Sequence, residues 1–319
     1  MITGITGQDG AYLSALLLEN GYRVLGIIRS YNNSNLSKLK YLNVDQHVIL
    51  EECDLADIPS IISIIKKYQP CELYNLAAQS SVSLSFEQPI GTITFNAISV
   101  LNLLESIRIV DKGIRFYQAS SSEMYGKVAD LPVTEATAMH PLSPYAISKA
   151  AAYWSVVNYR ESYGLYACNG VLFNHESFLR TDNFFVKKVI KSAIRIQRGA
   201  QDVLRVGNID LKRDFGFAPE YVKAMWGMLQ QAHPEDYIIC SGQSVSLRDI
   251  VNYVFKKLDI PLTKLISDES LFRPTDIHDI FGDNRKAKQN LNWQYALTFY
   301  EVLDRLIDEE IKNWNAGNS

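Results

Sequence analysis

Short apolar runs alternating with amphipathic stretches predict an α/β fold, a doubly wound parallel sheet with a smaller C-terminal lobe. Two further observations support that class. A glycine-spaced turn, Gly4, Gly7 and Gly10 in G-x-x-G-x-x-G, opens the chain ahead of an apolar helical pattern. Tyr145 and Lys149 lie one helical turn apart, downstream of a strand-like run ending Ala119-Ser-Ser-Ser-Glu123.

The elements follow in order. Only Met1 to Thr3 precede the first turn, so the first strand is nearly absent and the numbering is expected to begin inside a longer natural N-terminus. Strands are predicted at Arg23–Ile28, His47–Glu51, Leu73–Asn75, Ile114–Ala119 and Tyr166–Leu172. Between them fall helices near Ala11–Asn20, Ile58–Tyr68, Thr92–Val110 and Pro144–Tyr163, with a polar loop at Tyr31–Ser37. Pro144 suits a first-turn position, where a missing N–H costs nothing. After Asn174 the pattern loosens into helices at Phe184–Arg198, Tyr221–Ala232, Leu247–Leu258 and Leu297–Trp314. Residues 1–173 are assigned to a Rossmann-type dinucleotide-binding domain, with some later segments returning to it. Residues 174–319 are assigned mainly to a substrate-binding lobe over the C-terminal edge of the sheet, where open α/β folds bind ligands.

Composition narrows the function classes. Apolar content of 47% and charged content of 21% are those of an ordinary globular protein. A net charge of −3 offers no bulk attraction to nucleic acid or anionic membrane. No apolar run is read as approaching the roughly 20 residues needed to cross a bilayer, and no signal pattern opens the chain. The four cysteines are scattered without metal-ligand spacing, and read as reduced thiols of a cytoplasmic protein with no metal site.

The glycine turn allows backbone N–H groups to approach a pyrophosphate at a helix N-terminus, making Gly4, Thr6, Gly7, Gln8, Asp9 and Gly10 candidate cofactor contacts. Arg29 ends the second strand, where a guanidinium suits the 2′-phosphate of NADP and no acid stands to grip the ribose of NAD. Asp54, beside Leu55, either accepts from adenine or caps a helix. Small residues after the fourth strand, Leu76, Ala77, Ala78, Gln79 and Ser80, allow either close cofactor approach or tight helix–sheet packing. Tyr145 is a candidate acid/base, and the Lys149 ammonium is expected to draw its phenol down toward working pH. Ser121 and Glu123 follow the fifth strand on the same edge. A simple alcohol dehydrogenase has no need of that carboxylate, so Glu123 suggests a second proton transfer.

Five segments carry a more specific likeness: Ile5-Thr-Gly-Gln-Asp-Gly-Ala-Tyr-Leu13, Phe116-Tyr-Gln-Ala-Ser-Ser-Ser-Glu-Met-Tyr-Gly126, Leu172-Phe-Asn-His-Glu-Ser177, Lys212-Arg-Asp-Phe-Gly216 and Phe272-Arg-Pro-Thr275. Over essentially its whole length the chain resembles the GDP-mannose 4,6-dehydratase family of extended short-chain dehydrogenases/reductases. The resemblance implies conversion of GDP-mannose to GDP-4-keto-6-deoxymannose. Tyr145 would take the C4 hydroxyl proton while hydride leaves C4 for the nicotinamide. Glu123 would remove the C5 proton and, helped by Ser121, donate one as water leaves C6, to which the hydride returns. NADP is the implied cofactor, with NAD as the alternative, and Lys149, His175 and Arg180 are placed beside it. Asn174, Lys188, Arg213, Arg273 and Asp276 match substrate-contacting positions, where each arginine reads either as a diphosphate ligand or as a surface ion pair. A homo-oligomer, dimer or tetramer, and a role in polysaccharide assembly are likewise implied.

Departures mark where the substrate is open. Ser121 replaces the family's usual threonine, and Asp276 a more frequent glutamate. After the Asn-His-Glu-Ser motif the family's Pro-x-Arg-Gly becomes Phe178-Leu-Arg-Thr181, then Asp182, in a loop that borders the sugar. The family's paired arginines after the second strand shrink to Arg29-Ser30. The competing readings are a GDP-manno-heptose 4,6-dehydratase, a sugar-nucleotide C4 dehydrogenase or epimerase, and a non-catalytic dinucleotide-binding protein on the same fold.

Overall fold

Ile2 and Thr3 alone form the first strand, yet they stand at the centre of the main sheet. The computed structural model describes residues 1–32 and 34–317. The chain runs β1 (Ile2–Thr3), α1 (Gln8–Glu19), β2 (Leu25–Ile28), α2 (Ser37–Tyr41), β3 (Ile49–Glu52), α3 (Ile58–Tyr68) and β4 (Glu72–Asn75). It continues through α4 (Val82–Glu87), α5 (Pro89–Ile93), one π-helical turn (Thr94–Ile98), α6 (Ser99–Val110), β5 (Arg115–Ser121), α7 (Pro144–Tyr163) and β6 (Ala167–Leu172). Then come β7 (Asn174–Glu176), α8 (Phe185–Gln197), β8 (Leu204–Val206), β9 (Lys212–Phe217), α9 (Ala218–Leu229) and β10 (Tyr237–Ile239). The chain closes with β11 (Ser244–Ser246), α10 (Leu247–Lys257), β12 (Leu265–Ser267), α11 (Arg285–Asn290) and α12 (Phe299–Asn315).

The seven strands of the main sheet lie in the order β3-β2-β1-β4-β5-β6-β10, and every pair is parallel. Chain direction through the sheet reverses between β1 and β4, which opens a crevice at their C-terminal ends. One face is covered by α1 and α9, around Leu13, Leu17, Met225 and Tyr117. The other is covered by α3, α6 and α7, around Ile61, Leu103, Leu104 and Phe116. A separate core of α8, α10 and α12, built on Val189, Ile250, Phe255 and Leu303, supports the second half.

Helices with full periodicity match their predicted bounds most closely, as α3 and α7 do. Ser143 caps α7 by accepting from the Ala146 N–H, Pro144 takes its first turn, and Gly164 ends it in a left-handed conformation. Short strands are another matter. In the second half, β8, β10, β11 and β12 have three residues each, too few to show alternation, yet β10 returns to the main sheet as its seventh strand.

The predicted helix at Thr92–Val110 starts earlier, at Pro89, and passes through the π turn. This corrects the reading that no stretch nears membrane-spanning length. Pro89–Val110 is 22 residues and apolar enough to cross a bilayer by length and composition. Half of it is buried within the fold, and Val100, Leu103, Leu104 and Ile107 pack in the core, as a central helix of an α/β protein does. All four cysteines are free thiols, with Cys53, Cys168 and Cys240 buried, and no metal-ligating cluster occurs among the described residues.

Candidate active site

The glycine turn after β1 is packed too tightly for side chains. Gly4 adopts φ +71°, and a Cβ there would stand 2.8 Å from the Ala77 nitrogen. A Cβ on Gly10 would meet the Gly4 carbonyl oxygen at 2.4 Å, so α1 begins hard against the turn. Gly7 is the N-cap and brings no capping side chain, leaving first-turn N–H groups of α1 open to an anion. Thr6 sits in this turn.

Asp9 and Gln8 then tie the turn to β7 across the crevice. The Asp9 carboxylate lies 3.0 Å from His175 Nε2, while His175 Nδ1 lies 2.7 Å from the Phe173 carbonyl oxygen. Both ring nitrogens face acceptors, and the ring centre lies 4.7 Å from that of Tyr221, the planes tilted by 30°. Gln8 donates to Asp9 at 3.0 Å and to the His175 carbonyl, and accepts from Ser177 Oγ at 2.7 Å. Burial would raise the Asp9 carboxyl, but His175, Gln8 and Arg180 together hold it down at about 2.

A cavity of about 440 Å³ opens beside this network, and Ser121, Glu123, Tyr145 and Lys149 all line it. Ser121 ends β5, and its hydroxyl accepts from the Glu123 N–H at 3.3 Å, which fixes the turn that presents the carboxylate. Lys149 is 4% exposed, and its ammonium donates to the Ala119 carbonyl at 2.7 Å. The lysine does not set the tyrosine in the way the spacing suggests. Its Nζ is 5.9 Å from the centre of the Tyr145 ring. Burial pushes the Tyr145 phenol up to about 12, with the Ser121 hydroxyl easing it down and the Glu123 charge adding to the rise. Burial likewise draws Lys149 down to about 8, opposed by Asp9. Desolvation of two buried groups outweighs the attraction that their spacing on one helix face predicts.

The predicted loop after β4 divides. Leu76, Ala78 and Ser80 line the cavity. Ala77 packs beneath Gly4 instead, and its N–H donates to Thr3 Oγ1. The Gln79 side chain turns to Ser81 and Thr92, while its backbone exchanges hydrogen bonds with Asn96, which also donates to Ser148 on α7. Gln79 therefore braces the loop against the helix bearing Tyr145 and Lys149.

Arg29, Asp54 and Leu55 lie at the C-terminal ends of β2 and β3 but are not part of this cavity wall. The exposed Arg29 guanidinium stands 5.6 Å over the Phe95 ring. Asp54 accepts from the Ala56 N–H at 2.9 Å, which is the capping alternative read from the sequence. The Leu55 side chain is in the core, and its carbonyl accepts from Asn102.

Asn174, Lys188, Arg213, Arg273 and Asp276 do line the cavity, on the side of the second lobe. The Arg213 guanidinium is largely buried and donates to the Lys212 and Ile277 carbonyls. Burial lowers its pKa, against the charge of Glu123. Burial raises the Asp276 carboxyl, with Arg273 and Arg213 opposing. Arg180 also lines the wall, its Cζ 3.5 Å from the centre of the Phe184 ring and its Nε 3.5 Å from Glu176.

Glu176, Asn183, Phe184, Asn208, Leu211 and Leu271 also line the wall, and the sequence assigned none of them a role. Glu176 lies inside the Asn-His-Glu-Ser motif, which was the available signal. The others come from three separate segments, 183–184, 208–211 and the stretch after β12, and have no shared pattern.

The family model of GDP-mannose 4,6 dehydratase matches residues 1–306. GDP-mannose 4,6 dehydratase 1 of Arabidopsis thaliana is 44% identical over 323 residues, covering 98% of this chain and 89% of the relative. GDP-mannose 4,6-dehydratase of Yersinia enterocolitica is 40% identical over 347 residues, covering 98% and 93%. Among solved structures, UDP-glucose 4-epimerase of Thermotoga maritima with UDP-glucose superposes with a TM-score of 0.87 at 22% identity, over 98% of both chains. The dTDP-glucose 4,6-dehydratase of Bacillus anthracis with NAD gives 0.85 at 20%, over 98% and 96%. RMD of Pseudomonas aeruginosa complexed with NADPH gives 0.79 at 23%, over 97% of both. At these identities the structures attest the fold alone.

Proposed function

The chain belongs to the GDP-mannose 4,6-dehydratase family and is a sugar-nucleotide 4,6-dehydratase, a lyase; we propose that it converts GDP-mannose to GDP-4-keto-6-deoxymannose through Tyr145, Glu123, Ser121 and Lys149. The observation that carries this assignment is the presence of a carboxylate, Glu123, in the same cavity wall as the Tyr145–Lys149 pair. An enzyme that only oxidised C4 would have no work for it.

The cradle fits a nicotinamide dinucleotide. Its close-packed glycines and the uncapped start of α1 suit the pyrophosphate; Leu76, Ala78 and Ser80 would lie alongside, and Lys149, His175 and Arg180 would complete the contacts. Bound there, the dinucleotide supplies a hydride acceptor that gives the hydride back, so the overall reaction needs no outside reductant. Arg29 at the end of β2 supports NADP over NAD.

Tyr145 acts at the sugar C4 hydroxyl as acid and base, and the Ser121 hydroxyl steadies its charged form. Once C4 is a ketone, the C5 proton is acidic and Glu123 removes it. Glu123 then protonates the departing C6 hydroxyl, with Ser121 anchoring the turn that holds the carboxylate. As C6 takes back the hydride, C5 is reprotonated, which balances the proton that Tyr145 took from the C4 hydroxyl. Lys188, Arg213 and Arg273 supply positive charge for the nucleotide diphosphate, and Asn174 and Asp276 supply polar contacts.

Incubation of the purified protein with GDP-mannose, and separately with GDP-manno-heptose, tests this by product mass. Loss of one water from GDP-mannose without added reductant is the expected result. Loss from the heptose substrate alone would reassign the sugar. Oxidation or epimerisation at C4 with the water retained would refute the dehydratase assignment.

A second copy is part of the proposal. Ile90 and Ile93 on α5 are exposed, as are Ile147 and Trp154 on the neighbouring α7. Apolar side chains gathered on adjacent helices favour a homo-oligomeric contact. Light scattering on Trp154→Glu, reading a shift to lower mass, checks it.

A further inference from the structure

The loop from Ser177 to Phe184 carries Arg180, Asn183 and Phe184 into the cavity, and it is held by side chains of α2 and α8, which α12 binds in turn. Phe178 is held between two side chains. The Tyr41 ring of α2 stacks on it at 4.8 Å, and the Lys187 ammonium of α8 lies 4.1 Å from its ring centre. Lys187 also donates to the Phe178 carbonyl at 2.6 Å. Each of these two residues is in turn bound by a consecutive acid of α12, Tyr41 by Glu309 and Lys187 by Glu310. Farther along, Asp182 pairs with Lys191 at 2.6 Å.

The Lys187–Glu310 pair is almost wholly buried, with 7% and 5% of the residues exposed. Such a pair contributes little net stability, because desolvation offsets the attraction. Here its remaining hydrogen-bonding capacity goes to the loop backbone. The proposed chemistry makes no use of either residue.

We propose that Glu309 and Glu310 of the C-terminal helix, acting through Tyr41 and Lys187, are positioning residues that clamp Phe178 and thereby hold Arg180 for a diphosphate in the cavity. The proposed function gives that diphosphate to the dinucleotide, and the diphosphate of the sugar nucleotide is the alternative source. The inference deepens the proposed function and rests on it for the choice of ligands.

The test is calorimetric titration of wild-type and variant enzyme with NADP⁺ and, separately, GDP, alongside kcat, KM and melting temperature. Lys187→Met/Glu310→Met replaces the pair by apolar side chains and strands no buried charge, so melting should stay near wild type. Binding of one or both probes should weaken by roughly tenfold, within the range for groups coupled through a shared contact. KM should rise while kcat at saturation changes less than about twofold. Tyr41→Phe keeps the ring stack and removes only the bond to Glu309. It should shift the same titration in the same direction by about threefold, and remains informative if the buried double variant does not fold. A shift with NADP⁺ assigns Arg180 to the dinucleotide diphosphate, and a shift with GDP assigns it to the substrate. Unchanged titrations, or a loss confined to kcat, would overturn the clamp. Wild-type enzyme inert toward GDP-mannose would count against the dehydratase assignment, while the binding comparison would still decide the clamp.

Discussion

Replacing Asp9 with asparagine removes one charge from the first turn of α1 while keeping an acceptor near His175 Nε2. In the native protein the carboxyl is brought from an ordinary 3.8 to about 2, burial being outweighed by His175, Gln8 and Arg180. At roughly 1.4 kcal/mol per tenfold, that drop corresponds to about 2 kcal/mol of folding free energy at neutral pH. The side chain is only 21% exposed, so solvent screening removes a small part of it. A carboxylate with a depressed folded pKa stabilises fully above its unfolded value near 3.8. The contribution is lost as pH falls toward about 2. Asp9→Asn should therefore cost about 2 kcal/mol at pH 7, or about 3 °C in Tm for a chain this long. The gap should hold on acidification to about pH 4 and narrow below it. Urea unfolding followed by tryptophan fluorescence, at pH 7 and at stepwise lower pH, measures both quantities. Superimposable curves at pH 7, or a gap that widens on acidification, would refute the assignment of charge stabilisation to the Asp9–His175 contact.

Three further outcomes are expected. Glu123→Gln should slow release of water from GDP-mannose by roughly 10²–10⁴-fold while dinucleotide remains bound, read by product mass and by the dinucleotide content of the purified protein. Gly10→Ala forces a Cβ to within 2.4 Å of the Gly4 carbonyl oxygen and 2.6 Å of Ile5 Cα, both backbone atoms that cannot swing aside. It should cost on the order of 3 kcal/mol and abolish dinucleotide retention, checked by melting and by absorbance of the isolated protein. Asp214 is fully buried and accepts from Ser241 N and Oγ, Gly242 N and Gly282 N, while burial holds its carboxyl up at about 6. Because that folded pKa lies above 3.8, its contribution weakens as pH rises from about 4 through about 6. Asp214→Asn should flatten this stretch of the stability–pH curve. It should also cost about 3 kcal/mol at pH 7 in urea unfolding, because an amide donor would face donors.

Much of the molecule follows from local chemistry in the chain. The helices at Ile58–Tyr68 and Pro144–Tyr163 stand where periodicity and Pro144 place them. Gly10 is required because a Cβ there would stand 2.4 Å from the Gly4 carbonyl oxygen in the same short turn. Ser121, Glu123, Tyr145 and Lys149 reach one cavity because β5 and α7 both deliver their chemistry at the same edge of a parallel sheet. These features depend on neighbours a few residues away, or on a topology with few alternatives, so a linear reading reaches them.

Other features depend on partners far away in the chain. No spacing predicts that Asp9 would meet His175, that Gln79 would turn to Thr92, or that Lys187 would reach Glu310. The state of Tyr145 is the sharpest case. Its distance from Lys149 along one helix argues for a lowered pKa, whereas burial pushes the phenol up to about 12. The sequence by itself determined the doubly wound class, the glycine turn and the set of candidate residues that share one cavity wall, because backbone sterics and helix periodicity act locally. The tertiary structure alone decided the second-lobe wall, the seventh strand and the burial that shifts Tyr145 and Lys149, because desolvation and long-range pairing exist only once distant segments have packed together.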